Sequence, residues 1–316
     1  MPNPFFTVIT VTYNSSQFVR DAIASVLAST FTDFELIIGD DCSTDNTWEI
    51  INEYNDPRIV KYRNETNLRE YPNRNKALNM ARGEWVIFID GDDLIYPHAL
   101  SFIHEMIKKE DNIGMLLMRW YRSNMFFPIL ISPRDFYLEQ YFGEGFLGTA
   151  FTNTVFSRKV LSDLGGLSND HIYGDDYIRK KIALKNNMLV ISDQLTFWRE
   201  TPNQASQQGR YSFKNQLELF DTDFLFLDSA VQLGVINSEE YNLAKKNLSL
   251  RIMKIVVKKI IKLRIFEGYK YLNRYYSILA LSAKKKQIKS TFSDYSPSNI
   301  LDFKESKQRL LNEKVH

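Results

Sequence analysis

Apolar positions in the first 110 residues alternate between two periods. Phe6-Thr7-Val8-Ile9-Thr10-Val11, Phe34-Glu35-Leu36-Ile37-Ile38 and Trp85-Val86-Ile87-Phe88-Ile89 have the length and the β-branched or aromatic content of strands. Arg58–Tyr62 predicts a further short strand. Between these runs the period lengthens. Ser16–Ser29 puts Phe18, Ala22, Ile23, Val26 and Leu27 on one helical face, and Asn73–Ala81 reads as another helix. A third helix, carrying Trp48, Ile50 and Ile51, follows a polar loop with Thr44 or Asp45 as its N-cap. Strand alternating with helix is the pattern of βαβ units, so the chain predicts an α/β fold with a mostly parallel sheet and helices on its faces. The run Trp85–Ile89, apolar at every position, is expected to be buried on both faces.

The pattern then becomes mixed. Ile113–Tyr121 predicts a strand, and Phe126–Phe146 is aromatic-rich without a readable period. Phe151–Phe156 alternates like a half-buried strand, Asp175–Leu184 is helical, and Met188–Trp198 is strand-like. Beyond Ser206 two or three helices are expected, then a polar tail after Lys289.

Composition narrows the class. A hydrophobic content of 44% with 25% charged residues fits a globular chain of 316 residues. A single cysteine, Cys42, excludes an internal disulfide framework and fits a reducing compartment. No apolar stretch reaches the roughly 18–20 residues that span a bilayer. The start, Met1-Pro2-Asn3-Pro4, has no basic and apolar leader, so a cytoplasmic location is expected. The net charge of +2 conceals an asymmetry: from Arg251 onward sixteen Lys/Arg face five Asp/Glu, a balance of +11 against −9 for the rest. Such a tail predicts an anionic partner. Nucleic acid is disfavoured, because no recognised binding module is present. In Arg251–Phe266 the basic positions 251, 254, 258 and 262 line one helical face, and Ile252, Ile255, Val256, Ile260 and Leu263 another. That helix either lies on an anionic membrane or packs its apolar face on the body of the protein. Lys284-Lys285-Lys286 could face lipid in both cases.

The chemistry concentrates where strands end. Asp90-Gly91-Asp92-Asp93 follows the strand Trp85–Ile89, and Asp40-Asp41 closes the strand Phe34–Ile38. Parallel sheets bind ligands outside the carboxyl ends of their strands, where Thr12-Tyr13-Asn14 also falls. Carboxylates this close repel one another unless a cation or ligand intervenes, and Mg²⁺ or Mn²⁺ shared with a diphosphate is the natural occupant. The plain alternatives are an Asp-rich turn at 90–93 and a helix cap at 40–41. A Walker-type phosphate loop is missing, which weakens kinase and NTPase readings.

Ile9–Asn14, Asp33–Thr47, Arg74-Asn75-Lys76-Ala77-Leu78 and Ala81-Arg82-Gly83-Glu84-Trp85 up to Asp93 together resemble the family 2 glycosyltransferases of GT-A fold, over roughly residues 5–205. The resemblance implies a Rossmann-like catalytic domain over 1–205, with a nucleotide-binding half (1–110) and an acceptor half (111–205). A basic helical appendage would occupy 206–316. It implies that Thr12, Tyr13, Asn14, Asp41, Arg74 and Asp92 hold the nucleotide sugar, with Asp41 on the base. Asp92 and Asp93 would bind Mn²⁺ or Mg²⁺. Gly174-Asp175-Asp176 resembles the family's Glu-Asp pair and makes Asp176 the general base, against the alternative of two helix-start acids favoured by the dipole. The implied activity is inverting transfer of one sugar, from a nucleotide-diphosphate donor (a UDP-sugar foremost) to a glycan or lipid-linked glycan in surface polysaccharide synthesis. Two departures stand out: Cys42 occupies a position usually Gly, and Asp175 one usually Glu. A nucleotidyltransferase or phosphohydrolase on the same carboxylates, and a non-catalytic nucleotide-sugar binder, are the rival readings.

Overall fold

The computed structural model of the chain describes residues 3–119, 127–143, 145–171, 173–192, 194–201, 213–261 and 265–280. The tail after Lys289, Lys284–Lys286 and the 205/206 division lie outside them. The elements run β1 (Phe6–Thr12), α1 (Val19–Leu27), β2 (Phe34–Asp40), α2 (Thr47–Asn52), β3 (Ile59–Arg63), α3 (Glu70–Met80), β4 (Trp85–Phe88), β5 (Leu94–Ile95) and α4 (Ala99–Ile107). There follow β6 (Ile113–Met118), β7 (Ile129–Ile131), α5 (Pro133–Phe142), a 3-10 turn (Phe151–Asn153), β8 (Thr154–Ser157), α6 (Arg158–Asp163), α7 (Gly174–Ala183), β9 (Asn187–Ile191) and β10 (Thr196–Phe197). Three helices end the described chain: α8 (Phe213–Gln232), α9 (Ser238–Ile261) and α10 (Ile265–Ala280).

Eight strands form one sheet in the order β3-β2-β1-β4-β8-β6-β9-β7, and β10 pairs with β5 in a small ribbon. Neighbours are parallel except at β8 and β7, which run against theirs. Successive residues of a strand point to opposite faces, and the core divides accordingly. Ile9, Ile37, Val86, Phe88, Met115 and Leu117 enter one apolar cluster. Val8, Leu36, Ile38, Ile87, Ile89 and Leu116 enter the other. Helices α1 and α4 cover the second face through Val19, Ile23, Val26, Leu100 and Ile103. On the first face Ala77 and Leu78 of α3, Ile178 and Ile182 of α7, Phe226 and Leu227 of α8 and Leu248 of α9 share one core. Each such side chain contributes about 1.5–3 kcal/mol by leaving water, which holds the sheet between two helical layers.

Two expectations change. Phe151–Phe156 is not a half-buried strand: a 3-10 turn and the start of β8 occupy it, and all six residues are buried because β8 lies between β4 and β6 under both layers. The described part of Phe126–Phe146 contains β7 and α5; Ser132 caps α5 by accepting from Asp135 N, with Pro133 at its first position. On α9 the apolar face packs inward. Ile252 and Val256 are buried in a third cluster with Leu217, Tyr271 and Tyr275, while Lys254 and Lys258 stay exposed. Among the described residues no helix is long and apolar enough to cross a membrane.

Candidate active site

The strand order reverses at β1, whose neighbours are β2 on one side and β4 on the other. The chain diverges there and leaves a crevice beyond the strand ends. Both acidic loops are fastened to consecutive residues of β1: Gly91 N donates to Val11 O (3.1 Å) and Asp41 N to Thr12 O (2.8 Å). They flank one strand, so they stand about 10 Å apart across two strand spacings. Gly91 is required at this junction, since a Cβ there would lie 2.6 Å from Thr12 Cγ2.

On the β2 side, Asp40 is spent on structure. It is fully buried, accepts from Ser43 N (3.1 Å), Ser43 Oγ and Thr12 Oγ1 (3.4 Å), and faces Arg63 Nε at 3.2 Å. Thr12 is thereby turned inward. Asn14 joins the loops by accepting from Thr44 N at 2.8 Å, and Tyr13 lies half exposed at the rim. Asp41 Oδ1 accepts from Asn64 Nδ2 and Leu68 N, and Oδ2 from Arg69 N, each at 2.8 Å. Three non-glycine residues here adopt left-handed φ, Asn14 at +51°, Cys42 at +63° and Arg69 at +72°. Such conformations cost about 1–3 kcal/mol each and persist where surrounding bonds over-determine them. The Asp41 carboxylate does this for Arg69. The Asp40 carboxylate does it for Cys42 by gripping the next residue.

On the β4 side, Arg74 lies beneath the tetrad, 2% exposed, with Nη2 donating to both oxygens of Asp90 (2.7 and 2.6 Å) and Nη1 to Glu70. Arg74 therefore anchors Asp90 and presents no guanidinium edge to the crevice. Asp92 Oδ2 accepts from Thr201 Oγ1 (3.1 Å), and its carbonyl accepts from Arg199 Nε (2.9 Å). Asp93 is 1% exposed; Oδ1 accepts from Arg199 N at 3.0 Å, while buried Oδ2 has no hydrogen-bond partner among the described residues. Burial, then the charges of Asp90 and Asp92, push the Asp93 carboxyl up to about 8. A buried, unpaired oxygen beside two like charges suits a hard divalent cation. Among the described residues no three carboxylate, Cys or His side chains converge to hold a metal. Asp92 and Asp93 would thus supply two ligands and leave the remaining positions to phosphate and water, as Mg²⁺-type sites do.

Asp176 opens α7, whose first turn favours negative charge. Burial, followed by the neighbouring Asp175, raises its carboxyl to about 6, against the pull of Lys180 and Arg179. Contacts tie it to the tetrad. Gly174 N donates to Tyr71 Oη (3.0 Å), and the Phe151 ring lies under both Arg74 (4.9 Å) and Arg179 (5.5 Å). Arg179 Nη1 faces Asp176 Oδ1 at 3.6 Å and Asp175 Oδ2 at 3.8 Å. His171 stacks on Tyr177 at 3.9 Å and faces Glu218 Oε1 at 3.8 Å.

Sequence reading missed Asn64, Arg199, Thr201 and Arg179. Arg179 carried a signal, three residues after Asp176 on one helical face. The others act across long separations that no local pattern reports.

With this geometry in place, the comparisons with known proteins agree with it. Residues 7–165 match the family Glycosyl transferase family 2, and the chain belongs to it. The Escherichia coli protein WfaP, UDP-Glc:alpha-D-GlcNAc-diphosphoundecaprenol beta-1,3-glucosyltransferase, is 38% identical over 87 residues, 28% of this chain and 35% of WfaP. The crystal structure of Staphylococcus aureus TarS 1-349 with UDP-GlcNAc superposes with a TM-score of 0.60 at 19% identity, covering 89% of this chain and 91% of that one. Mannosyltransferase PcManGT from Pyrobaculum calidifontis, with GDP-Man and Mn²⁺, gives 0.53 at 17% identity, over 89% and 86%. Both likenesses confirm the GT-A fold. The chain covers 35% to 41% of the length of WfaP and of three other curated glycosyltransferases.

Proposed function

We propose that the protein is an inverting, metal-dependent glycosyltransferase. It would move one sugar from a UDP-sugar to a hydroxyl of a glycan or lipid-linked glycan destined for a surface polysaccharide. The observation that carries this reading is the buried Asp93 Oδ2, without a partner among the described residues, beside the charges of Asp90 and Asp92 at the end of β4. A Mn²⁺ or Mg²⁺ ion on Asp92 and Asp93 would offset charge on the departing diphosphate. Asp176, with its proton affinity near 6, takes the proton of the acceptor hydroxyl as that oxygen attacks the anomeric carbon. The bond to the diphosphate breaks on the opposite face, and the UDP leaves with the electron pair.

Asp41 supports uracil over guanine. A carboxylate has about four acceptor positions, and the protein uses three of them here. One remains, enough for the single N3–H of uracil but not for the paired N1–H and N2–H of guanine. The exposed Tyr13 ring is placed to cover a base. A thermal-shift panel of UDP, GDP, CDP and ADP tests this. UDP with Mn²⁺ is expected to stabilise by about 2.7 kcal/mol at 100 times Kd. The shift should vanish without metal and in Asp41→Ala. No stabilisation by any nucleotide with Mn²⁺ would sink the whole reading.

Peripheral contact with an anionic membrane, on its cytoplasmic face, is part of the proposal. The outer side of α9 and α10 carries exposed Lys254, Lys258, Phe266 and Tyr269, with Lys270 Nζ 4.4 Å from the Phe266 ring centroid. Aromatics insert at the headgroup level, and each nearby cation adds about 1 kcal/mol on anionic lipid. Sedimentation with phosphatidylglycerol vesicles should capture the protein, and phosphatidylcholine vesicles should not. Lys254→Glu/Lys258→Glu should abolish capture; retention by that variant would discard this surface.

A further inference from the structure

The base is not framed by the family's own segment alone. Lys180 follows Asp176 by one helical turn on α7, so the two side chains share a face. Lys180 is 2% exposed, and its ammonium lies 2.8 Å from Asp223 Oδ1 on α8. Two tyrosines of α5 lock the same junction. Tyr137 Oη donates to Lys180 O (2.9 Å) and Tyr141 Oη to Asp223 O (2.7 Å). Asp223 lies well beyond residues 7–165, so family membership assigns it no role. Stability does not explain the pair either, since apolar residues of similar volume do as well as a buried ion pair.

We infer that the Lys180–Asp223 pair is a positioning device through which the C-terminal helices set the orientation and electrostatic field of Asp176. This inference rests on Asp176 being the base. Among the described residues, the charged groups that act most strongly on Asp176 are Asp175, Lys180 and Arg179 on α7 and Asp223 on α8. From α3 the Tyr71 hydroxyl meets the helix start at Gly174 N. Arg179 is already bound to Thr154 Oγ1 and to the carbonyls of Thr149 and Ala150. Lys180 is therefore the cation whose attachment α8 controls. Its charge favours the carboxylate form of Asp176, and Asp223 both holds it in place and moderates it.

The test follows the titration of Asp176 by carboxyl ¹³C NMR, with its resonance identified by loss in Asp176→Asn. The acid limb of UDP release from UDP-sugars, with p-nitrophenyl glycosides as acceptors, gives a second reading. Lys180→Met removes the charge but leaves Asp223 buried alone. The double variant Lys180→Met/Asp223→Leu removes both charges and keeps the volume, and melting curves confirm its fold. The midpoint and the acid limb should rise by about one pH unit in Lys180→Met and by less in the double variant, where the opposing charge of Asp223 is also gone, with UDP binding unchanged. Asp223→Asn should move both downward. An unmoved midpoint in a folded double variant, or a rate loss equal at every pH, would overturn the inference while an inactive Asp176→Asn upheld the base. Full activity in Asp176→Asn would overturn the base and the inference together.

Discussion

Asp176→Asn is expected to lower the rate of sugar transfer by about 10²- to 10⁴-fold, the usual worth of a positioned general base. UDP affinity should stay near that of the parent, because among the described residues Asp176 makes no bond to the nucleotide loops, and the melting temperature at pH 7 should not fall, since Asn leaves no charge to bury. In the parent the rate should climb tenfold per pH unit up to about 6 and then level, following ionisation of this carboxyl. Stability runs the other way. The folded value lies above the ordinary 3.8, so the folded protein holds a proton that the unfolded chain has released. The stabilising contribution is complete below about pH 4 and disappears as pH rises through 6. Asn is neutral at every pH, so Asp176→Asn should abolish this pH dependence, which urea unfolding on both sides of pH 6 would measure. A nucleotidyltransferase needs no such base, so an unchanged rate in this variant would favour that rival.

The second large effect concerns Asp93. Asp93→Asn keeps an acceptor for Arg199 N but removes the charge that Asp90 and Asp92 oppose. Transfer should fall by about 10²- to 10³-fold, the loss seen when one electrostatic stabiliser of the transition state is removed. Mn²⁺ should no longer enhance UDP binding. Without metal, however, the variant should be at least as stable as the parent at pH 7, because the buried carboxylate is itself a liability there. The parent should lose stability as pH rises from about 4 through 8, since its Asp93 is protonated more readily folded than unfolded. Added Mn²⁺ should reverse that trend by favouring the ionised form. Isothermal titration with Mn²⁺ and UDP, beside melting curves with and without metal, checks both halves. A variant that still binds UDP in a metal-dependent way would free Asp93 from the ligand role.

Much of the frame was legible because its signals are local. β1, β2 and β4 were read from runs of apolar residues, and they sit within two residues of the predicted bounds. The Asp-Gly-Asp-Asp turn could be placed at a strand end without coordinates. Phe151–Phe156 misled, since its polar residues Thr152, Asn153 and Thr154 are buried at 1%, 5% and 0%. A threonine such as Thr154, whose Oγ1 accepts from Arg179 Nε inside the fold, looks, in sequence, like a solvent-facing one. The segment holding α5 was obscured by its aromatics, although Ser132-Pro133 with Asp135 carried a readable start signal. Cys42 illustrates the opposite case. Its side chain disfavours the left-handed backbone that glycine adopts freely, and tertiary hydrogen bonds impose that backbone regardless.

The order of strands and helices, the acidic turns at their ends and membership of the glycosyltransferase family were determined by the chain alone, because each depends on residues adjacent or one helical turn apart. What only the folded molecule decided is which polar atoms remain open. Among the described residues, Arg74 vanishes beneath Asp90, Asp41 keeps one acceptor of four, and Asp93 Oδ2 is left without a partner. Helix α9 turns Ile252 and Val256 inward, and Lys180 reaches Asp223. The physical reason is that burial and hydrogen bonding join groups far apart along the chain, as Arg199 joins Asp93 across 106 positions. No periodicity encodes such pairs, yet they determine the charge and geometry that a substrate would meet.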